Sequence, residues 1–287
     1  MTTDNISTHS LKDITDQEIR IDKFTGTINN DVLYKKVAHR RNDHFLFIFQ
    51  RDGRSKIMLD FREIELIAGV VICVLPGQIH YAVAVDHNTE AWVITLDTHF
   101  INADYRSVFE DHYFLYQPQI LQNTEKVSLN SCIELILSVK ENRQQLNFIP
   151  QVAHSLIDAC VGMFASAYYK TETGPTNLSR QHIITKQFKR LLLQRLKTRK
   201  STAGYASALN ITPAYLNEVI KSTTGLTVSY WIQQAIIIEA KRLLYATDNT
   251  IKEIAYSLGF DDQAYFTRYF SNADGQPPQK FRLNYRK

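Results

Sequence analysis

The spacing of hydrophobic residues changes along the chain. Between residues 44 and 96 the apolar residues form short, often alternating runs, at residues 44–49, 56–61, 70–75, 79–83 and 91–96. Turn-forming pairs such as Asp52-Gly53 and Pro76-Gly77 separate these runs. Short runs bounded by such turns are typical of antiparallel strands. Strands this closely spaced predict an all-β barrel or jelly roll in the N-terminal part of the chain.

Beyond residue 128 the apolar residues recur at helical spacing. Two helices are predicted, over residues 128–145 and 150–169. The second helix has a broad apolar face, formed by Val152, Leu156, Ala159, Cys160, Met163 and Phe164. This face either docks on the barrel or pairs with the same helix of a second subunit. Residues 171–179 contain Gly174-Pro175 among threonines, which is the composition of an interdomain linker.

The C-terminal part contains an internal repeat. Residues 206–211 are echoed by residues 255–260, at an offset of 49. From Ala214 onward, which corresponds to Ala264, the offset is 50, so the second copy has one extra residue in its turn. Each copy has the pattern of a short helix, a tight turn and a second helix. The sequence therefore predicts two units of the same local structure in tandem.

Capping residues support the helices of both copies. The turn residue is Asn210 in the first copy and Gly259 in the second, and both residue types tolerate positive φ. Thr212-Pro213 places an N-cap hydroxyl before a proline at the first helical position, and Asp261-Asp262 supplies carboxylates at the corresponding place. We therefore expect two helix-turn-helix units, joined by a continuous helix over residues 228–244.

Several motifs follow one another in a fixed order in this part of the chain. They are Glu-Ala-Lys-Arg-Leu-Leu at residues 239–244, Ile-Lys-Glu-Ile-Ala at 251–255, Leu-Gly-Phe at 258–260, and the segments 263–270 and 275–282. Together they resemble the DNA-binding domain of AraC-type transcription regulators, over about residues 184–282. The chain departs from that family at Ala235 and Ile236, where relatives often carry an arginine, and at Pro277-Pro278, where they often carry Thr-Pro. The resemblance implies sequence-specific DNA binding, and activation more often than repression.

The distribution of charge favours nucleic acid as a partner of the C-terminal part. Residues 180–287 hold 17 Lys and Arg against 7 Asp and Glu, a balance of +10, which leaves 16 against 22, or −6, for residues 1–179. A basic domain attracts the phosphates of DNA. Basic residues between Lys186 and Lys200 either contact phosphates or form an ordinary exposed helix end. We expect double-stranded DNA to be the partner of residues 180–287.

The residues that read bases are predicted from the outward faces of the two recognition helices. The predicted DNA-binding residues are Thr212, Ala214, Asn217, Glu218, Lys221, Gln263, Ala264, Thr267 and Arg268. Asn217 and Gln263 suit adenine, and Arg268 suits guanine. Glu218 either accepts from cytosine or pairs with a nearby cation, Lys221 or Arg268. The resemblance to AraC-type regulators implies that these same positions read the site.

The N-terminal part resembles another family through a short motif. Pro76-Gly77-Gln78-Ile79-His80 is similar to the second motif of cupin barrels, and a barrel followed by two helix-turn-helix units resembles AraC-type regulators over nearly the whole chain. Many cupins hold a metal, but this chain has no His-x-His pair followed by Glu. His39, His44 and His80 are too scattered to predict a metal site, which needs at least three well-placed donors. No metal, no cofactor and no enzymatic activity are therefore predicted.

A small effector inside the barrel is the predicted ligand of the N-terminal part. The candidate effector-binding residues are Arg41, His44, His80, Tyr81 and Trp92. An alternative is that His44 and His80 are strand residues whose hydrogen bonds are satisfied locally or by solvent. The effector itself is not identified by the sequence.

Cysteine usage and the polar N-terminus complete the prediction. Cys73, Cys132 and Cys160 are widely spaced in apolar runs, which favours reduced core thiols over disulfides or zinc and leaves a redox-sensing role open. Residues 1–10 are polar, and no run approaches a membrane-spanning length, so a cytoplasmic protein is expected.

The combined prediction is a two-domain α+β protein that acts as a DNA-binding transcription regulator. It has an all-β cupin-like sensing and dimerisation domain with helices (residues 1–170), a linker (171–179) and an all-α tandem helix-turn-helix domain (180–287). A homodimer is expected, and RNA polymerase is a candidate partner. Two alternatives stay open: a metal-dependent cupin enzyme with an appended DNA-binding domain, and an architectural DNA binder without an effector.

Overall fold

The computed structural model describes residues 8–9, 19–26, 41–141, 149–170, 179–196 and 201–285. These residues form two compact units, one made of the described residues from 8 to 170 and one of those from 179 to 285. Strands and helices build the first unit, and helices build the second. Residues 171–178 of the predicted linker lie outside the described residues.

The described strands of the N-terminal unit form two larger antiparallel sheets and one small parallel pair. The strands are β1 (Thr8–His9), β2 (Ile19–Thr25), β3 (Arg41–Asn42), β4 (Phe45–Asp52), β5 (Arg54–Leu59), β6 (Arg62–Ile67), β7 (Val70–Val74), β8 (His80–Val85), β9 (Glu90–Leu96) and β10 (Gln119–Ile120). One sheet has the order β10-β7-β4-β9-β2, another has the order β6-β5-β8, and β1 pairs with β3. Among the described strands there is no closed barrel, so the predicted cupin barrel is not confirmed.

Strand β4 is buried on both of its faces. Residues 45–50 are all buried, although their side chains point alternately to opposite sides of the sheet. On one side the Phe47 ring lies 5.3 Å from that of Phe109 and 5.0 Å from that of Phe164, both on helices. On the other side Leu46 and Ile48 line a cavity. The uninterrupted apolar run at 45–49 therefore marks a central strand covered by different elements on its two faces.

The turn between β5 and β6 corrects the strand predicted over residues 56–61. Asp60 and Phe61 have φ of 47° and 66°, so the chain reverses there and β6 begins at Arg62. The buried Asp60 carboxylate accepts hydrogen bonds from the Ile79 amide at 3.1 Å and from Gln78 Nε2 at 2.9 Å. These bonds hold the left-handed turn in place, and they depend on a loop that is distant in sequence.

Three α-helices complete the described part of the N-terminal unit: α1 (Ala103–Asp111), α2 (Asn123–Glu141) and α3 (Ile149–Lys170). Helix α3 docks on the sheet, where the Tyr168 hydroxyl accepts a hydrogen bond from the Cys73 amide at 2.8 Å. Its predicted apolar face is partly wrong. Cys160 and Phe164 are buried as expected, but Val152 and Ala159 are exposed, because the helix turns Ile157 and Val161 inward instead.

The C-terminal unit consists of seven helices within the described residues. They are α4 (Arg180–Arg195), α5 (Thr202–Ala208), α6 (Pro213–Thr224), α7 (Val228–Ala246), α8 (Ile251–Ser257), α9 (Gln263–Asp274) and α10 (Pro278–Tyr285). The long helix α7 confirms the predicted connection between the two copies of the repeat. Arg282 of α10 donates to the Leu244 carbonyl at 3.2 Å and to the Asn249 carbonyl at 2.5 Å, so it caps the end of α7. None of the described helices is both long and apolar enough to cross a membrane.

Candidate nucleic-acid interface and ligand cavity

Both copies of the repeat make the same turn. Asn210 has φ of 55° and Gly259 has φ of 73°, which confirms the predicted left-handed turn residues. In the first copy the Ile211 amide donates to the Ala206 carbonyl at 3.0 Å, and the corresponding bond in the second copy, from Phe260 to Ala255, is 2.9 Å long. The turn therefore fixes the angle between the two helices in the same way in each unit.

The recognition helices α6 and α9 begin at the predicted caps. The Thr212 hydroxyl accepts from the Tyr215 amide at 3.2 Å, and the Asp262 carboxylate accepts from the Tyr265 amide at 2.7 Å. The predicted core residues are also confirmed. Leu216, Val219, Ile220, Phe266 and Phe270 are all completely buried. Caps and core together determine which face of each helix is left for solvent.

The predicted base-reading residues lie on these outward faces. Thr212, Ala214, Asn217, Glu218 and Lys221 are exposed in the first unit, as are Gln263, Ala264 and Arg268 in the second, and Thr267 is half-buried. The structure thus brings the candidates of each unit onto one side of one helix. Amide, carboxylate and guanidinium groups on such a face can pair with base edges in a major groove.

Asn217 has a structural contact that the sequence did not predict. Its side-chain Oδ1 accepts a hydrogen bond from the Val228 amide at 3.3 Å, so it links α6 to the first residue of α7. At the offset of 50 the corresponding residues are Thr267 and Pro278. Proline has no amide hydrogen to donate. Bidentate pairing with adenine would use the same Oδ1, so an Asn217 that read a base would have to do so with an oxygen that already accepts from Val228.

The two recognition helices carry opposite charges at one equivalent position. Glu218 corresponds to Arg268 at the offset of 50, and both side chains are exposed. Within the described part of the chain, no ion pair joins Glu218 to Lys221 or to Arg268. A carboxylate and a guanidinium at this position cannot prefer the same base. The two units therefore present different chemistry at this position of the same scaffold.

Helix α7 makes contacts with α4, α9 and α10. Lys241 of α7 forms an ion pair with Asp274 at the end of α9, and its Nζ lies 5.4 Å from the centre of the Phe281 ring. In α4, Lys189 Nζ lies 5.3 Å from the Trp231 ring. Lys189, one of the candidate phosphate-contacting residues, therefore also contributes to packing. Residues 197–200, the end of the predicted basic run, lie outside the described residues.

A cavity of about 260 Å³ lies between the two larger sheets of the N-terminal unit. Its walls are mainly apolar, with Leu46, Ile48 and Val93 on one sheet and Ile57 and Leu66 on the other. Its polar lining includes Arg20, Asp22, His44, Gln50, Ser55, His80, Tyr81, Thr89 and Thr95. Such a mixture of apolar walls and few polar groups is typical of a small-molecule site.

Three of the five predicted effector residues line this cavity, namely His44, His80 and Tyr81. Trp92 corrects the prediction. It lies on the opposite face of β9, where its indole Nε1 donates to Asn130 Oδ1 of α2 at 2.9 Å. Neighbouring residues of a strand face opposite sides, so Val93 lines the cavity and Trp92 does not. Arg41 belongs to β3, and its side chain lies outside the described residues.

His44 and His80 line the cavity, but they are not part of a metal-binding group among the described residues. Burial and, to a smaller extent, the nearby His44 lower the pKa of His80 to about 4, so the His80 ring is neutral at physiological pH. His39 lies outside the described residues. Among the residues described, no group of three or more His, Cys, Asp or Glu side chains is placed to hold a metal ion.

Comparison with known proteins gives matches mainly to the C-terminal unit. A family model described as a helix-turn-helix domain matches residues 205–284. An uncharacterized HTH-type transcriptional regulator of Bacillus subtilis, YobQ, is 26% identical over 193 residues, which cover 60% of this chain and 76% of that protein. The arabinose operon regulatory protein of Escherichia coli is 34% identical over 80 residues, 28% of this chain and 27% of the regulator.

Solved structures also match this chain, some over about a third of its length and others over nearly all of it. The C-terminal domain of AraT, a response regulator from Geobacillus stearothermophilus, is 28% identical, with a TM-score of 0.34, and the match covers 37% of this chain and 88% of that domain. ToxT from Vibrio cholerae is 13% identical, with a TM-score of 0.43, and the match covers 93% of this chain and 97% of ToxT.

These comparisons support a DNA-binding transcription regulator with a helix-turn-helix domain in its C-terminal part. The curated relatives are named as transcription regulators, which confirms the prediction of a regulator rather than an enzyme. The arabinose regulators share only about a quarter of their length with this chain.

Proposed function

We propose that the chain regulates transcription by reading a specific DNA site with α6 and α9. The observation that carries this proposal is the pair of identically turned helix-turn-helix units, each with its polar residues on the outward side of the second helix. Two such helices joined by the continuous α7 can enter successive major-groove segments, about 34 Å apart, on one side of the duplex.

The second unit supplies the stronger base-reading chemistry in this proposal. Arg268 and Gln263 are exposed on the same helix, and these side chains pair with guanine and adenine through two hydrogen bonds each. Thr267 and Ala264 complete the reading surface. In the first unit, Ala214, Lys221 and Glu218 take part, with Thr212 near the backbone at the helix start, while Asn217 is divided between DNA and its link to Val228.

The N-terminal unit is proposed to sense a small effector in the cavity between its sheets and to support a homodimer. The volume of the cavity and its mainly apolar lining support effector sensing, and His44, His80 and Tyr81 are among the polar residues of that lining. Exposed apolar residues on α2 and α3, such as Leu135 and Val152, support the second. In this proposal the chain activates transcription together with RNA polymerase, in the cytoplasm.

Replacement of Arg268 tests the base-reading role. The DNA site would first be selected from random duplexes with the full chain. Arg268→Ala is expected to weaken binding to that site by about 1–3 kcal/mol and to relax the preference at one base pair, because a bidentate contact to guanine is lost. Fluorescence anisotropy against every single-base-pair variant of the site measures both effects.

The matched control removes a charge from an exposed lysine outside the recognition helices, Lys280 of α10. If Lys280 contacts phosphate, Lys280→Ala lowers affinity evenly across sequences and leaves the base preference unchanged. Equal losses on selected and scrambled DNA for Arg268→Ala would refute base reading by this residue. A failure to select any common site would refute sequence-specific regulation as a whole.

A further inference from the structure

Two of the three cysteines meet at the interface between α2 and α3. Cys132 of α2 and Cys160 of α3 both lie at the turn of α3 that begins at Leu156, close enough for each thiol to shift the pKa of the other. The Cys132 thiol also lies 3.5 Å from the Leu156 carbonyl oxygen, one helical turn before Cys160, and donates to it when protonated. Residues far apart in the sequence thus place two sulfur atoms against the same turn of α3.

The two thiols have different acidities. The nearby Cys160 thiol lowers the pKa of Cys132, because a hydrogen bond from it stabilises the Cys132 thiolate. The same contact, together with burial, raises the pKa of Cys160. The contact therefore favours the thiolate, the nucleophilic form, at Cys132 rather than at Cys160.

The third cysteine provides an internal reference. Cys73 lies in β7, a strand buried along its whole length, and burial raises the pKa of its thiol. Cys132 lies closer to the outer edge of the helix pair, because its neighbours Ser131 and Leu135 on α2 are exposed, as is Ser155 on α3. Cys132 and Cys73 are themselves 8% and 6% exposed, so the difference lies in their surroundings: exposed side chains lie within one helical turn of Cys132, whereas Cys73 lies in a strand that is buried along its whole length.

We propose that Cys132 and Cys160 form a reversible disulfide when the protein meets a small hydroperoxide. The Cys132 thiolate attacks the terminal peroxide oxygen, so that an S–O bond forms, the O–O bond breaks, and the other oxygen leaves, after protonation, as water from hydrogen peroxide or as an alcohol from an organic hydroperoxide. Cys160 then attacks the Cys132 sulfenic acid, so that an S–S bond forms, the S–O bond breaks, and water leaves. The two sulfurs lose two electrons in total, and the peroxide gains them.

The disulfide would join two helices that cover the sheet on the side away from the cavity. Cys160 packs there with Ile94, Ile136 and Phe164. The bond would close a loop of 160 − 132 = 28 positions and restrict separation of α2 from α3. This site does not depend on the proposed DNA-binding function, since all of its residues belong to the N-terminal unit.

Thiol counting on the full chain tests the proposal. The reduced protein has three free thiols. After treatment with hydrogen peroxide, two of them are expected to be lost, with a cross-linked peptide joining Cys132 to Cys160 in the mass spectrum and full recovery after dithiothreitol. Retention of all three thiols, loss of Cys73, or a cross-link only between two chains would overturn the proposal.

Single variants assign the roles. Cys160→Ser is expected to stop the cross-link and leave a sulfenic acid at Cys132 that dimedone traps, whereas Cys132→Ser leaves no such adduct at Cys160. Cys73→Ser is the control and is expected to form the cross-link at the wild-type rate. A dimedone adduct at Cys160 in place of Cys132 would refute the assignment of the nucleophile. Circular dichroism checks that each variant is folded, and the wild-type thiol count decides the proposal on its own.

Discussion

The link between Asn217 and Val228 makes the two recognition helices differ in stability as well as in chemistry. The Val228 amide lies at the first position of α7, where no intrahelical acceptor exists, so the Asn217 oxygen satisfies a group that would otherwise lack a protein partner. We predict that Asn217→Ala destabilises the C-terminal unit through the loss of this bond. Thr267→Ala, at the corresponding place in α9, loses no such bond because Pro278 has no amide hydrogen.

The magnitude follows from the single hydrogen bond. A neutral intramolecular hydrogen bond contributes about 1 kcal/mol net to the free energy of unfolding. Asn and Thr have similar helix propensities, so replacement by Ala stabilises both helices by a similar few tenths of a kcal/mol. Asn217→Ala is therefore expected to be less stable than Thr267→Ala by about 1 kcal/mol. The difference isolates the bond because the change in propensity cancels.

A double-mutant cycle with Val228→Pro measures the bond directly. Proline fits this position, because it is the first of the helix and the preceding Thr227 is extended, with φ −77° and ψ 158°. The loss of valine packing occurs in both arms of the cycle and cancels. The expected coupling energy between Asn217→Ala and Val228→Pro is about 1 kcal/mol.

Urea unfolding of the full chain provides the assay. The chain has two tryptophans, Trp92 in the N-terminal unit and Trp231 in α7, so Trp92→Phe leaves Trp231 as the reporter of the C-terminal unit. All four members of the cycle carry this background. A coupling energy below about 0.3 kcal/mol, which is the scatter expected for independent sites, would refute the structural role of Asn217.

Two further predictions concern packing and backbone conformation. Phe47→Ala is expected to destabilise the N-terminal unit by about 3–5 kcal/mol, because the buried Phe47 ring packs against two other rings. Val127→Ala, at a side chain that is 67% exposed, is expected to change the free energy of unfolding by less than about 0.5 kcal/mol, and a similar loss for both variants in urea unfolding would contradict this account. Gly225→Ala and Gly275→Ala are each expected to lower the free energy of unfolding by about 1–2 kcal/mol through positive φ alone, since an added Cβ would meet no atom within 4 Å at either site. An unchanged stability of both variants in thermal unfolding would contradict this explanation.

The C-terminal fold could be predicted from the sequence because its determinants are local. A helix cap such as Thr212 acts on amides three residues away, and the left-handed turn at Gly259 depends on that residue's own backbone freedom. The repeat then doubled each observation. The link between Asn217 and Val228 was not predicted, because it joins two helices across a loop, and helical spacing alone marks Asn217 only as an outward residue.

The N-terminal fold was less predictable because its determinants are distant in sequence. Asp60 appeared to continue a strand, but partners near residue 79 hold it in a turn. Trp92 was assigned to the wrong face, because strand alternation gives two faces without saying which one meets the helices. Cys132 and Cys160 appeared unrelated, since only the packing of α2 on α3 brings their thiols together.

The difference between the two recognition helices follows from how a helix divides its positions. Core residues such as Leu216 and Phe266 and caps such as Thr212 and Asp262 determine the fold, so they can match in kind while the outward residues change freely. A repeat therefore preserves the helix-turn-helix scaffold without preserving the chemistry of its outward face. Where an outward residue also binds the scaffold, as Asn217 does, its freedom to change depends on a partner elsewhere. The second copy, with proline at that partner position, is released from this constraint.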